Sequence, residues 1–116
     1  MASLLLEGDE LVVCLSGAEQ MAAMRGDVHV PLSDVQTVSV DPDPWCALRG
    51  VRAPGTGLPG MVAYGVRRLT GDRPDFAAVH GRGPAVRIEL GPRATFRRLL
   101  VTVEDPEQTV AKLRER

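Results

Sequence analysis

Four apolar segments in the second half of the chain, Met61–Leu69, Phe76–Val79, Ala85–Leu90 and Phe96–Val103, are cut apart by dense breakers. The breakers are Thr70-Gly71-Asp72-Arg73-Pro74, His80-Gly81-Arg82-Gly83-Pro84 and Gly91-Pro92. Apolar segments this short, with turn residues at both ends, are too brief for buried helices and have the length of strands. In the last of them Leu99, Val101 and Val103 share one face, with Arg98, Leu100 and Thr102 on the other.

The first half shows the same punctuation. Leu4–Glu7 and Glu10–Leu15 read as strands about the turn Gly8-Asp9, where glycine supplies the positive φ of a tight hairpin. Ser16-Gly17-Ala18-Glu19 matches a capping box, so a short helix near 17–25, running through Met21 and Met24, is expected to stop at Gly26. Val28-His29-Val30 alternates and Pro31 interrupts it. A valine-rich strand then runs to Val40, and Asp41-Pro42-Asp43-Pro44 ends it. His29 points away from its two valines, toward solvent or a rim. Trp45-Cys46-Ala47-Leu48 fits one helical turn packed on the barrel or sheet.

Gly50–Gly60 carries four glycines and two prolines, which reads as a loop of fixed shape with Arg49 and Arg52 at its entry. Glycine-rich backbone can cradle anions, but a phosphate loop needs a Gly-Lys-Ser/Thr and a following helix, and this segment has neither. The chain closes on Asp105, Pro106 and Gln108, a good N-cap, first-turn proline and capping partner. Val110 and Leu113 then face the sheet from a docked helix, and Lys112, Arg114 and Arg116 sit at its C-terminal end.

Seven or eight short strands and one terminal helix make a mainly β fold in a single domain, 1–116, either a helix-capped barrel or a packed pair of sheets. Composition narrows the functional classes. There are four aromatic residues (Trp45, Tyr64, Phe76 and Phe96) in 116, too few for a stacking platform on single-stranded nucleic acid. Tyr64, Phe76 and Phe96 are expected to fill a small valine core. No apolar run reaches the length of a membrane span, and the start lacks the basic region of a signal peptide.

The net charge of −1 hides an asymmetry. Residues 1–48 hold eight acids against one base, and residues 49–98 hold ten arginines against three acids. Such a split makes either an anion-binding face or acid-to-arginine pairing between strands, the second being the simpler reading. Arg67, Arg87 and Arg97 are expected to face water. Cys14 and Cys46 lie far apart with no ligand cluster, and His29 and His80 are isolated, so no metal or other cofactor is expected. Reduced thiols point to the cytoplasm.

The segment Val30-Pro31-Leu32-Ser33-Asp34-Val35, continuing to Val40, resembles a recurrent segment of bacterial pleckstrin-homology-like proteins. The close, Leu100-Val101-Thr102-Val103-Glu104-Asp105-Pro106-Glu107, is similar to their final strand-to-helix junction. The stretch Arg49–Gly60 resembles a small set of actinobacterial proteins. The resemblance implies a small pleckstrin-homology-like barrel of seven or eight antiparallel strands, closed at one end by the C-terminal helix. The first strand and the helix near 17–25 are additions to that plan, and the lysine-rich first hairpin of phosphoinositide binders is missing.

The expectation is therefore a non-catalytic cytoplasmic binding or assembly domain, with a protein partner or self-association through an uncovered strand edge. The alternative is a small-molecule or anion-binding protein, or an enzyme, using the Arg49–Gly60 loop with Trp45, Arg49, Arg52, Gly55 and Gly57. Neither nucleic acid nor a membrane surface is an expected partner.

Overall fold

A computed structural model describes residues 2–23, 25–49, 51–58 and 61–115, with the backbone alone described for 51–58. Its strands are β1 (Ser3–Glu7), β2 (Glu10–Cys14), β3 (Val28–Pro31), β4 (Val35–Asp41), β5 (Val51–Leu58), β6 (Val62–Arg68), β7 (Asp75–His80), β8 (Ala85–Leu90) and β9 (Arg98–Val101). Helices α1 (Gly17–Ala23), α2 (Pro44–Ala47) and α3 (Pro106–Arg114) complete it, with one 3-10 turn at Leu32–Asp34.

The capping box at α1 forms in full, and the N-cap of α3 forms as the sequence requires. Ser16 N–H donates to Glu19 Oε1 at 3.0 Å, and Glu19 N–H donates to Ser16 Oγ at 3.2 Å. At α3 the Asp105 carboxylate accepts from Gln108 N–H at 3.1 Å. Gly8, at φ 63°, turns β1 into β2 with Glu7 opposite Glu10. The expected Met24 end of α1 lies outside the described residues.

The strands form two open sheets, a three-stranded one in the order β1-β2-β3 and a six-stranded one in the order β4-β8-β9-β7-β6-β5. The fold is mainly β, and a packed pair of sheets rather than a closed barrel among the described residues. Two further expectations need correction. The Gly50–Gly60 loop is largely a strand: β5 pairs antiparallel with β6, Val51 opposite Arg68 and Leu58 opposite Val62. Pairing needs backbone groups only. β5 is an edge strand, and Pro54 falls within the register shift between Arg52 and Gly55, where a missing N–H does least harm. This strand brings the total among the described residues to nine.

The second correction is strand direction. β7 and β9 are parallel, Phe76 opposite Leu99 and Ala78 opposite Val101. β7 and β8 follow one another in sequence, yet β9 lies between them and pairs antiparallel with β8. Every residue of β9 is buried, which suits a short central strand covered on both faces.

Two cores result. The larger lies between the sheets and is closed by helices: Leu11, Val13, Val28 and Val30 meet Val38, Ile88, Leu99 and Val101, with Ala23 of α1 and Val110 and Leu113 of α3. Tyr64, Phe76 and Phe96 belong to it, as expected, with the two phenyl rings tilted at 5.8 Å. Full burial of a side chain such as Phe76 or Leu99 contributes about 1.5–3 kcal/mol. The smaller core lies on the opposite face of the six-stranded sheet, where Trp45, Ala47 and Leu48 pack on Ala63, Ala77, Val79 and Leu100.

The arginines are more engaged than expected. Arg98 is buried, and Arg87 is half-buried between Glu89 (2.8 Å) and Asp41 (3.6 Å). The Asp41–Arg87 pair joins an acid of the first half to an arginine of the second across β4 and β8. Arg67 is half-buried too, and Arg97 is exposed as expected.

Candidate functional site

Asp43 caps α2, its carboxylate accepting from Cys46 N–H at 3.4 Å, and Pro44 occupies the first turn. This single turn lays Trp45 across the smaller core, where its indole Nε1–H donates to the carbonyl of Gly81 at 2.8 Å. The chain then continues to Arg49 over a buried polar cluster. Asp75, fully buried at the start of β7, accepts from Arg49 Nε (2.9 Å) and Nη2 (2.7 Å) and from Arg98 Nε (3.0 Å). Arg98 also donates to the carbonyl of Ala47 at 2.6 Å, and Arg67 to that of Arg49 at 3.0 Å. Asp72 adds a second acid to Arg49 at 3.2 Å. Hydrogen bonds to Asp75 push the Arg49 guanidinium up, further from losing its proton, against the opposing effect of burial.

Trp45 and Arg49 thus lie on one strap, and each has a defined intramolecular partner. Arg52, Gly55 and Gly57 lie along β5, opposite Arg67, Gly65 and Ala63 in turn. The side chain of Arg52 lies outside what is described.

A roomy recess lined by described residues lies elsewhere, under α1. It is a cavity of about 570 Å³ between Ala18, Glu19 and Ala22 of the helix and Val62, Tyr64 and His80 of the sheet. Each element places its residues simply. Ala18 and Ala22 are one helical turn apart, and their small side chains leave the space open. Val62 and Tyr64 are two apart and share a strand face, and the register sets His80 opposite Val62.

The polar groups of the recess form a chain. The Tyr64 hydroxyl hydrogen-bonds the Glu19 carboxylate and lies 3.3 Å from His80 Nδ1. With the phenol proton on the Glu19 side, the phenol oxygen accepts from a protonated Nδ1, and Nε2 of the exposed ring is left as an acceptor. Burial pushes the Glu19 carboxyl up, but bonds from the Ser16 backbone, the Tyr64 hydroxyl and the Ser16 hydroxyl outweigh it and hold it below the usual range. Burial and Glu19 together push Tyr64 up to about 12. At neutral pH the recess therefore holds an ionised carboxylate and a neutral phenol, beside the ring of His80.

No family model, curated protein or solved structure matches the chain. What the site can do rests on its own geometry.

Sequence reasoning read Glu19 as a cap partner, Tyr64 as a core filler and His80 as part of a turn. The first two hold, His80 instead ends β7 opposite Val62, and none of the three readings found the site. One signal was present: a tyrosine placed in a valine core needs a partner for its hydroxyl, and a buried acid at the helix start is one.

Proposed function

We propose that this chain is a non-catalytic small-molecule-binding domain whose ligand enters the recess beneath α1. The carrying observation is the Glu19–Tyr64–His80 chain at the wall of an otherwise apolar cavity whose volume suits a compact organic molecule. Ala18, Ala22 and Val62 would take the apolar body, and the Tyr64–His80 pair would fix one polar group. The ionised Glu19 disfavours an anionic head. A binding role accords with the chemistry of the three groups, because a phenol raised to about 12 and a carboxylate already engaged are poorly suited to exchanging protons at neutral pH. The pleckstrin-homology-like relationship is part of the same reading. It is supported by α3 docked on the core through Val110 and Leu113, while the parallel β7–β9 pair departs from it. A cytoplasmic setting is supported by the two free thiols, Cys46 being exposed.

The test is a thermal-shift screen of neutral and cationic amphipathic compounds on three proteins: the native chain, Ala22→Phe, which fills the cavity, and Tyr64→Phe, which removes the hydroxyl. Compounds that stabilise the native chain should lose their effect in Ala22→Phe and weaken in Tyr64→Phe. Undiminished responses in Ala22→Phe would end this reading.

A second reading, self-association, is favoured by the β1 edge, where Leu5 and Leu6 are 50% and 42% exposed. Antiparallel pairing of two copies about Leu5 sets Leu4 of each opposite Leu6 of the other and Ser3 opposite Glu7, with no like charges facing. The two three-stranded sheets would become one of six strands. Sedimentation should show a dimer that Leu5→Lys abolishes, and a strict monomer at high concentration would remove this reading.

A further inference from the structure

A second recess, of about 290 Å³, lies where β3 meets the turn that joins β8 to β9. Its charge is opposite in character to the first. Arg25 and Arg93 line it together with His29 and Thr95, with Asp34 as the acid present. Leu90 and Phe96 contribute apolar wall. Among the described residues, neither Arg25 nor Arg93 has a carboxylate within ion-pairing reach, in contrast to Arg49, Arg87 and Arg98. His29 faces Glu10 at 3.5 Å from the exposed side of β3.

The cations are carried on a shaped framework. The Arg25 guanidinium lies over the Phe96 and Phe76 rings, 5.3 and 5.7 Å from their centroids, which limits its freedom without consuming its charge. The turn bearing Arg93 and Thr95 is held from behind by Arg73, whose Nη1 donates to the carbonyls of Gly91 (2.6 Å), Ala94 (2.9 Å) and Phe96 (3.1 Å). Gly91 N–H is also tied to the carbonyl of Asp34 at 2.7 Å, fixing the turn against the segment after β3. One arginine thus shapes the turn, while another on the same turn keeps its donors unspent.

We propose that this recess binds a compact organic oxyanion with an apolar body. Its phosphate or carboxylate would lie between Arg25 and Arg93, and its body against Leu90 and Phe96. Two guanidinium groups offer several charge-assisted bonds to such a group, and the apolar wall selects against a bare inorganic ion. The site is separate from the Glu19–Tyr64–His80 recess and stands or falls independently of it.

The experiment is a backbone-amide NMR titration of the full chain with phenyl phosphate, run beside inorganic phosphate (charge alone) and phenol (body alone). Phenyl phosphate should shift amides in 28–31 and 91–96 and bind about tenfold more tightly than either control. Arg93→Gln, a change at an exposed turn position, should weaken it about tenfold, as the loss of a charge-assisted bond requires. Arg25→Gln should act in the same direction, and added salt should weaken binding in the native chain. Shifts confined to 18–22, 62–64 and 80, affinity unchanged in Arg93→Gln, or inorganic phosphate binding as tightly as phenyl phosphate would each overturn the proposal.

Discussion

Arg49 grips Asp75 with two parallel hydrogen bonds, Nε at 2.9 Å and Nη2 at 2.7 Å, although 26 positions separate them. The carboxylate is 2% exposed and accepts from Arg98 as well, so one buried acid bridges two guanidiniums beneath the strap, with Asp72 supplying a second negative charge to Arg49. Removing that acid leaves the buried Arg98 uncompensated and Arg49 with Asp72 alone. Asp75→Asn should cost about 3–5 kcal/mol in urea unfolding. Arg49→Met keeps most of the packing and leaves the Arg98–Asp75 pair intact, so it should cost clearly less. Equal losses from the two variants would show that the cluster does not work in this way.

Tyr64 is the chain's single tyrosine, so ultraviolet titration of the phenol reads it alone. Its midpoint should lie near 12 rather than near the ordinary 10, because burial and the Glu19 carboxylate both oppose the phenolate. Glu19→Gln should bring the midpoint back toward 10. The sign for stability follows. The folded state holds the Tyr64 proton more tightly than the unfolded chain, so this contribution is complete below pH 10 and is lost as pH rises from there through 12. Glu19 acts at the other end. Its carboxyl is held low, so its contribution is complete above the ordinary carboxylate range and disappears as pH falls through the folded value.

Trp45 reports on the strap, since no other tryptophan is present. Trp45→Phe keeps an aromatic on the smaller core but leaves the Gly81 carbonyl without its 2.8 Å donor. The expected loss is about 1 kcal/mol or somewhat more, measured by chemical unfolding. Asp43→Ala removes the cap of α2 and should raise acrylamide quenching of Trp45 in the folded protein before any global unfolding.

Cys46 is exposed yet should react slowly. Its thiol donates to Asp43 Oδ2 at 3.0 Å, and that hydrogen bond, reinforced by the carboxylate's charge, pushes the thiol up. At pH 8 its alkylation by iodoacetamide should lag behind that of an unstructured cysteine peptide. Asp43→Asn should speed it several-fold, because the thiolate is the reactive form.

The strands, the α1 capping box, the α3 N-cap and the closing helix were legible because each depends on local chemistry: alternation, a breaker, a hydroxyl three residues before an acid. β5 was not, since glycine and proline signal a loop while an edge strand asks only for backbone pairing, and the Pro54 irregularity accommodates the rest. The strap segment drew attention because Trp45 and Arg49 stood out in it, and they do lie together, each tied to a partner. Glu19, Tyr64 and His80 were ordinary one by one. Their meeting depends on how α1 crosses β6 and β7, and no spacing within 61 residues of chain encodes that crossing.

The placement of β9 bears on how this protein is made. Its central strand consists of residues 98–101, so until they join, the large sheet is two separate pieces, β5-β6-β7 and β4-β8, whose inner edges have no neighbour. Arg98, which helps hold Asp75, arrives with the same strand. Residues from 98 onward are therefore needed to seal both cores, and the large sheet cannot close on the ribosome until β9 has been made. A wild-type chain should refold slowly for its size, in keeping with contacts that are mostly distant in sequence, and a chain truncated before residue 98 should be captured by chaperones rather than persist as a smaller stable domain.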